Sequence, residues 1–336
     1  MKLYIIGNGF DLAHGTPSSY YKFKEYVKAN DRELYRTLEQ YINVDDFWGD
    51  FEGNLSRLSR EHLMIAVDTM ADCMIDCYDE SDNDFSYANF YGALELGTEA
   101  INTIINNIET DFQCWITTLQ PASGPHLSLD PNALYINFNY TEFLETLYGI
   151  PRNKILYIHG DRRDSKDTLI LGHGDDPADS LQQWIDTHKS DPRYQHFRYA
   201  KKGRRYRNDD LIYLAYFADR DYTKPGRYKT RQAIATAAME QIEGYYIWTY
   251  KKTEAVLQHY SSFFQELSDI DEITVMGHSL SPVDRPYFKR ILEVNKAKDH
   301  LIWNISWFSD KDKTKIQEFA DSMGISKNNI SLFRLD

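Results

Sequence analysis

The chain has 336 residues, of which 42% are hydrophobic, and its formal net charge at pH 7 is −13. This length and apolar content exclude a disordered chain and predict either one large α/β domain with insertions or two domains. The negative charge argues against a duplex DNA partner, whose binding would need neutralised phosphates. Because no apolar stretch could span a bilayer and no signal segment is present, we expect a cytoplasmic protein without a membrane partner.

The first residues predict a buried strand, a glycine loop and a helix. Residues 2–7 form a continuous apolar run, which is typical of a strand buried on both faces. Gly7-Asn8-Gly9-Phe10-Asp11 follows, and Thr16-Pro17-Ser18-Ser19 opens a helix. Glycines after a strand let the backbone turn tightly and approach a ligand, while the next helix presents N–H groups to an anion.

Two interpretations of this glycine loop stay open. The dinucleotide-binding fingerprint has a third glycine where this chain has Leu12, so the loop matches it only in part. A tight strand–helix turn without a ligand is the alternative. Asp11 is not required by such a turn, and it either caps the helix or contacts ligand hydroxyls.

The next part of the chain predicts a helical insertion followed by a βαβ unit. Residues 31–120 show helical periodicity, and strand character returns at 133–138 and 154–159 on either side of a short helix. Asn139 follows the first of these strands and His159 ends the second. Neighbouring parallel strands lie about 4.8 Å apart, so we expect the two residues within about 10 Å of each other.

Asn139 and His159 together favour a functional site at this sheet edge. An uncharged amide can position a water or a ribose hydroxyl, and a histidine can accept a proton near neutral pH. Each residue alone is also common in a purely structural role, the asparagine in a turn and the histidine as a hydrogen-bonded residue at a strand end. Tyr140, next to Asn139, is assigned to the same site.

The rest of the chain predicts a second insertion and the second half of the sheet. Residues 168–172 look like a further strand, and residues 178–268 are mostly helical. Strands at 272–277 and 300–308 are each followed by a helix, and a last strand is expected at 330–333.

These elements predict an α/β fold with a Rossmann-like parallel sheet and two large helical insertions. The predicted α/β core consists of residues 1–30, 121–177 and 269–336, and the insertions consist of residues 31–120 and 178–268. Open sheets of this kind bind their ligands in the crevice outside the carboxyl ends of the strands. Residues far apart in the sequence therefore meet in one pocket.

Gly277-His278-Ser279 follows the strand at 272–277 and invites comparison with the nucleophile elbow of esterases. Ser281 replaces the second glycine of that motif, and Asp284 follows Ser279 too closely to complete a catalytic triad. We therefore interpret Ser279 as a residue that binds a ligand or caps the following helix.

Two further patterns allow more than one interpretation. Histidines beside glycine could, with nearby carboxylates, hold two metal ions of a phosphoesterase or nuclease. These histidines are His14, His159, His173 and His278. The first strand lacks the Asp-x-His of metallophosphoesterases, and we assign no metal ligand.

The stretch 198–207 interleaves basic residues with tyrosines and could contact a phosphate-rich ligand, although we prefer a solvated loop.

Four segments of the chain resemble the AbiH family of bacterial phage abortive-infection proteins. They are residues 3–15 with the Pro17, Ser19-Tyr20 and Phe23 that follow, residues 137–140, residues 158–161 and residues 277–284. More distantly, the order of glycine loop, Asn, His-Gly and Gly-x-Ser resembles the sirtuin-like NAD-binding fold, including its antiphage NAD-hydrolase branch. In that fold a small residue usually stands at the position of Asn8, and an acidic residue is common near Thr141.

The resemblance implies an antiphage effector that binds a dinucleotide and hydrolyses NAD at the nicotinamide–ribose bond. On that basis Gly7 and Gly9 approach the pyrophosphate, Asn139 faces the nicotinamide ribose and His159 is the catalytic base. The implied binding residues are Gly7, Asn8, Gly9, Phe10, Asp11, His14, Tyr140, Gly277, His278 and Ser279. Resting cells must keep such an enzyme silent, so we expect self-association into a homo-oligomer or a closed lid, and a phage-derived trigger that activates it. A nucleotide sensor without turnover and a metal-dependent phosphoesterase are the alternatives.

Overall fold

Six parallel strands form a sheet in the computed structural model, which describes residues 1–76, 87–164, 169–188 and 225–335, with backbone alone at 75–76 and 225–232. The strands are β1 (Lys2–Ile6), β2 (Leu134–Asn137), β3 (Ile155–Tyr157), β4 (Glu272–Met276), β5 (Ile302–Ser306) and β6 (Ile330–Phe333). Their order across the sheet is β3-β2-β1-β4-β5-β6, a doubly wound arrangement. The predicted Rossmann-like α/β fold is confirmed.

The helices flank these strands in the chain. They are α1 (Asn8–Ala13), α2 (Tyr20–Asn30), α3 (Arg32–Tyr41), α4 (Phe51–Asn54), α5 (Arg60–Asp76), α6 (Tyr87–Gly97), α7 (Glu99–Thr118), α8 (Phe143–Thr146), α9 (Pro177–His188), α10 (Pro225–Trp248), α11 (Thr253–His259), α12 (Ser261–Glu266), α13 (Arg285–Val294) and α14 (Asp310–Met323). Across the described part of the chain, no helix is both long and apolar enough to cross a membrane.

The chain divides into two compact units. The first comprises Met1–Asn30, Glu109–Gly174 and Lys251–Asp336, and the second comprises Asp31–Ile108 and Asp175–Tyr250. All six strands belong to the first unit. In the second unit, α10 buries Ile234 and Ile242, and the guanidinium of Arg60 binds both carboxylate oxygens of Glu243.

The continuous apolar runs of the strands are explained by burial on both faces of the sheet. Successive side chains of a strand point to opposite faces. In β1, Leu3 and Ile5 pack in one hydrophobic cluster, whereas Tyr4 and Ile6 pack in the other. Neither face of this strand is left to solvent, and so the polar alternation of a half-exposed strand is absent from its sequence.

The predicted strand at 168–172 is wrong. Residues 169–172 form an irregular segment, in which the Ile170 N–H donates to the His159 carbonyl over 2.9 Å. Leu169 is buried and Ile170 packs against the core, which accounts for the apolar run without strand pairing. Burial of a loop against the core thus produced the same residue pattern as a strand.

Candidate functional site

The four predicted segments follow neighbouring strands and meet at one edge of the sheet. They come directly after β3, β2, β1 and β4, which are adjacent in that order, and parallel strands end on the same side. The order of strands reverses between β1 and β4, and doubly wound sheets bind ligands at such a switch point. The candidate site is built from the loops at this edge.

The glycines of the β1 and β4 loops allow the two backbones to pack directly against each other. A Cβ on Gly9 would lie 2.6 Å from the Gly277 Cα, and one on Gly7 would lie 2.5 Å from the His278 Cα. The Gly9 N–H donates to the Gly277 carbonyl over 2.8 Å, and the Phe10 N–H donates to the Gly7 carbonyl over 2.9 Å. These N–H groups, expected to face a pyrophosphate, are therefore already bonded within the protein.

Helix α1 is held by buried side chains that were expected to contact a ligand. His14 donates from Nδ1 to the Phe10 carbonyl over 2.7 Å and accepts at Nε2 from the Tyr148 hydroxyl over 2.6 Å. Burial lowers the pKa of His14, so its neutral form is favoured. Phe10 is buried in the core, and Asn8 exchanges two hydrogen bonds with Ser18. His14 and Phe10 stabilise the helix rather than the pocket.

Asp11 links helix α1 to the loop after β2. Its carboxylate accepts from Asn139 Nδ2 over 2.8 Å and from the Thr141 hydroxyl over 2.7 Å. Asn139 Nδ2 also donates to the Gly7 carbonyl over 3.1 Å, so both of its hydrogens are used. Burial raises the pKa of Asp11 to about 7, against the effect of these two hydrogen bonds. Thr141 stands where the sirtuin-like resemblance predicts an acidic residue. Its hydroxyl donates to Asp11, which an ionised carboxylate could not do.

His159 lies in a buried cluster of aromatic rings. Phe138 contacts it edge-on, with ring centroids 5.1 Å apart, and Tyr140 and Tyr287 lie at 6.4 and 5.9 Å. Its Nε2 lies 3.5 Å from Asp284 Oδ1. Burial and the neighbouring Lys251 lower the pKa of His159 well below its usual value, so the imidazole is neutral.

Asp284 and Lys251 complete this cluster, and sequence reasoning assigned a role to neither of them. Lys251 Nζ and Asp284 Oδ1 are 3.6 Å apart, and His278 Nε2 lies 3.5 Å from Asp284 Oδ2. Burial alone would raise the pKa of Asp284, but Lys251 and the histidines hold it well below its usual range. Asp284 ends the motif-bearing segment 277–284, whereas no pattern around Lys251 marks it.

The β4 loop fixes the tautomer of His278. Gly277 and Leu280 both adopt positive φ angles, of 66° and 54°, and this conformation is costly for a leucine. It directs the Leu280 N–H to His278 Nδ1 at 2.9 Å, so Nδ1 is unprotonated and Nε2 carries the hydrogen. An Nε2–H nitrogen cannot ligate a metal. No group of three or more His, Cys, Asp or Glu among the described residues is arranged to hold an ion.

A cavity of about 590 Å³ lies beside these loops, over the carboxyl ends of β1, β4 and β5. Of the predicted residues it is lined by Asn8, Gly9, Gly277, His278 and Ser279. Further lining residues follow β5, and no sequence pattern indicated them; among them are Trp307, Phe308 and Lys315. Phe308 is 80% exposed, which is unusual for a large apolar side chain.

The predicted site residues thus fall into two groups. The first lines the cavity just described, which we call the switch-point pocket. The second comprises buried residues that are not among those lining the pocket, namely Gly7, Phe10, Asp11, His14, Asn139, Tyr140 and His159. The basic stretch 198–207 lies outside the described residues.

Comparison with known families gives one finding. The family model described as "Bacteriophage abortive infection AbiH" matches residues 3–307, which include β1 from its second residue, β2 to β5 and both groups of predicted residues. Neither the curated proteins nor the solved structures gave a significant match.

Proposed function

Because the chain belongs to the AbiH family of bacteriophage abortive-infection proteins, we propose that it binds a dinucleotide in the switch-point pocket and hydrolyses NAD at the nicotinamide–ribose bond. The observation that carries this proposal is the position of the pocket, at the point where the order of strands reverses. Its volume of about 590 Å³ lies within the range of small-molecule sites. The sirtuin-like resemblance is part of this proposal.

The pocket favours a ligand with both apolar and anionic parts. Phe308 and Trp307 provide aromatic surface, and Lys315 provides a positive charge. Asp312 also lines the pocket, and its carboxylate accepts from the Phe308 and Ser309 N–H groups. Because the N–H groups of Gly9 and Phe10 donate to protein carbonyls, we assign the phosphates to the pocket side chains rather than to the glycine loop. Ser279, which is exposed in the pocket, is a further polar side chain placed to contact them.

Hydrolysis assigns roles to the buried group. The bond to nicotinamide breaks through an oxocarbenium-like state, as in other glycosyl cleavages. Asn139 positions the ribose or the water, and neutral His159 accepts the proton. Since both side chains are buried, turnover requires that ligand binding opens access to them.

That burial favours a second candidate function, a nucleotide sensor without turnover. Binding in the pocket does not require His159 or Asn139 to be reached, and the hydrogen bonds of Asn139 remain intact. In this case the ligand reports infection, and self-association or another partner produces the response.

Calorimetry with NAD and an assay for free nicotinamide separate these functions. We expect saturable binding and nicotinamide release by the wild-type protein. Ser279→Trp fills the pocket and should abolish both, whereas Thr314→Trp, an exposed position on α14 outside the pocket, should preserve both. Binding without nicotinamide would establish the sensor and reject hydrolysis. Absence of NAD binding in a folded wild-type protein would reject the proposed ligand.

A further inference from the structure

Four ionisable side chains meet in the buried cluster around Asp284. Lys251 and His278 are almost fully buried, as are Asp284 and His159. An ionised carboxylate in such a place is costly unless other groups compensate its charge. Lys251 supplies the opposite charge, and His278 directs its Nε2–H to one carboxylate oxygen.

The second carboxylate oxygen faces His159. Asp284 Oδ1 lies 3.5 Å from His159 Nε2 and 3.6 Å from Lys251 Nζ. If Nε2 were unprotonated, its lone pair would face a negatively charged oxygen, which is repulsive. A proton on Nε2 turns the same contact into an attraction. The charge of Asp284 therefore selects the Nε2–H tautomer of His159 and leaves Nδ1 as the basic nitrogen.

We propose that Asp284 is the positioning residue of a dyad with His159, in which it orients the imidazole so that Nδ1 accepts a proton. The role of Nδ1 rests on the proposed function, whereas the tautomer does not. During hydrolysis, water adds to the ribose carbon as the bond to nicotinamide breaks. The proton that the water loses passes to Nδ1 of His159 and then to solvent, so that NAD and water give nicotinamide, ADP-ribose and a proton. Asp284 stabilises the imidazolium that forms in between.

Other groups around His159 shape its proton affinity. Lys251 and His278 disfavour a charge on the ring, and Asp284 favours it. Tyr140 and Tyr287, which also contact the ring, contribute no negative charge at neutral pH. Asp284 is therefore the group in this cluster that can stabilise a protonated His159.

Imidazole NMR tests the tautomer without any enzymatic assay. Long-range ¹H–¹⁵N correlation of the wild-type protein should assign the hydrogen of His159 to Nε2. In Asp284→Asn, this proton should move upfield and exchange faster with water. Asp161→Asn is the matched control, because Asp161 is a buried carboxylate whose partners are Arg152 and Arg163. An Nδ1–H tautomer in the wild type, or an unchanged signal in Asp284→Asn, would overturn the proposal.

Kinetics test the role of the dyad. We expect Asp284→Asn to lower kcat for nicotinamide release about 10²-fold with KM unchanged, and to shift the acid limb of the pH–rate profile to lower pH. Asp284→Asn also leaves the buried charge of Lys251 without its partner, which should destabilise the protein. The double variant Lys251→Met/Asp284→Asn removes that charge, so it should regain the lost stability but not the lost kcat. Recovery of kcat together with stability would reduce Asp284 to a structural role. If the wild type releases no nicotinamide, the proposed function fails, while the NMR result still decides the tautomer.

Discussion

Several candidate site residues use their hydrogen-bonding groups on other parts of the protein. Asn139 uses both amide hydrogens on Asp11 and Gly7, and the His14 ring is held between Phe10 and Tyr148. Residue type and spacing predicted that Asn139 and His159 follow neighbouring strands, and the structure has them after β2 and β3. The sequence pattern could not show these partners, because each bond joins segments more than a hundred residues apart or depends on a side-chain rotamer. Lys251 is the extreme case, since nothing near it in the sequence indicates that it pairs with Asp284.

Asp11 predicts a pH dependence of stability. Its pKa is about 7 in the folded protein, against an ordinary value near 4, so the native carboxyl retains a proton that the unfolded chain has lost. The free energy of unfolding should therefore fall as pH rises from about 4 to 7, by at most about 4 kcal/mol. Asp11→Asn should abolish this fall, because an amide can donate to Thr141 and accept from Asn139. Urea denaturation at pH 5 and pH 8 measures it.

Asp161→Asn is the control, because the stability that Asp161 contributes should depend on pH in the opposite direction. Burial opposes ionisation of Asp161, but Arg163 and Arg152 hold its pKa below the usual value. It contributes stability above pH 4 that is lost as pH falls, so its replacement should destabilise the protein at pH 8. If Asp11→Asn lost stability at pH 8 as Asp161→Asn does, the carboxylate of Asp11 would be a stabilising ion instead.

At the scale of the elements, the sheet was predictable and its loops were not. A run such as that of β1 is typical of a strand whose two faces are both buried, and the strand forms as expected. The segment 169–172 is also largely apolar but forms no strand, because it packs on the core as a loop. The glycine loop was equally ambiguous. Because its glycines have no side chains, the backbone of the β4 loop can pack directly against it. A pattern in one sequence cannot show whether such glycines make room for protein backbone or for a phosphate.

The contact between the β1 and β4 loops predicts unequal effects of two glycine substitutions. Gly277 and Gly149 have nearly the same φ, 66° and 65°, so alanine costs each about 1–2 kcal/mol in backbone strain. A Cβ on Gly277 would also lie 2.3 Å from the Phe10 nitrogen, whereas Gly149 has nothing within 4 Å. We expect Gly277→Ala to lose at least about 2 kcal/mol more than Gly149→Ala in chemical denaturation. Equal losses would show that the loops separate at little cost.

The whole molecule is a phage-defence protein whose pocket and buried cluster belong to the first unit. We expect cells that express the wild-type chain to reduce phage plating, and Ser279→Trp to lose at least tenfold of that protection. Thr314→Trp should retain it at equal protein levels. Full protection by Ser279→Trp would show that defence does not require the pocket, whatever the pocket binds in vitro.

The described residues that line the switch-point pocket come from two tracts of the chain. One runs from Asn8 to Ala13 and the other from Gly277 to Leu335, and neither is interrupted by a helical insertion. Substitutions in the described parts of the two helical insertions therefore do not change the residues that line the pocket. A change of ligand preference would arise from substitutions in these tracts, above all beyond β5, where a library of variants at Trp307, Phe308 and Lys315 would sample it directly.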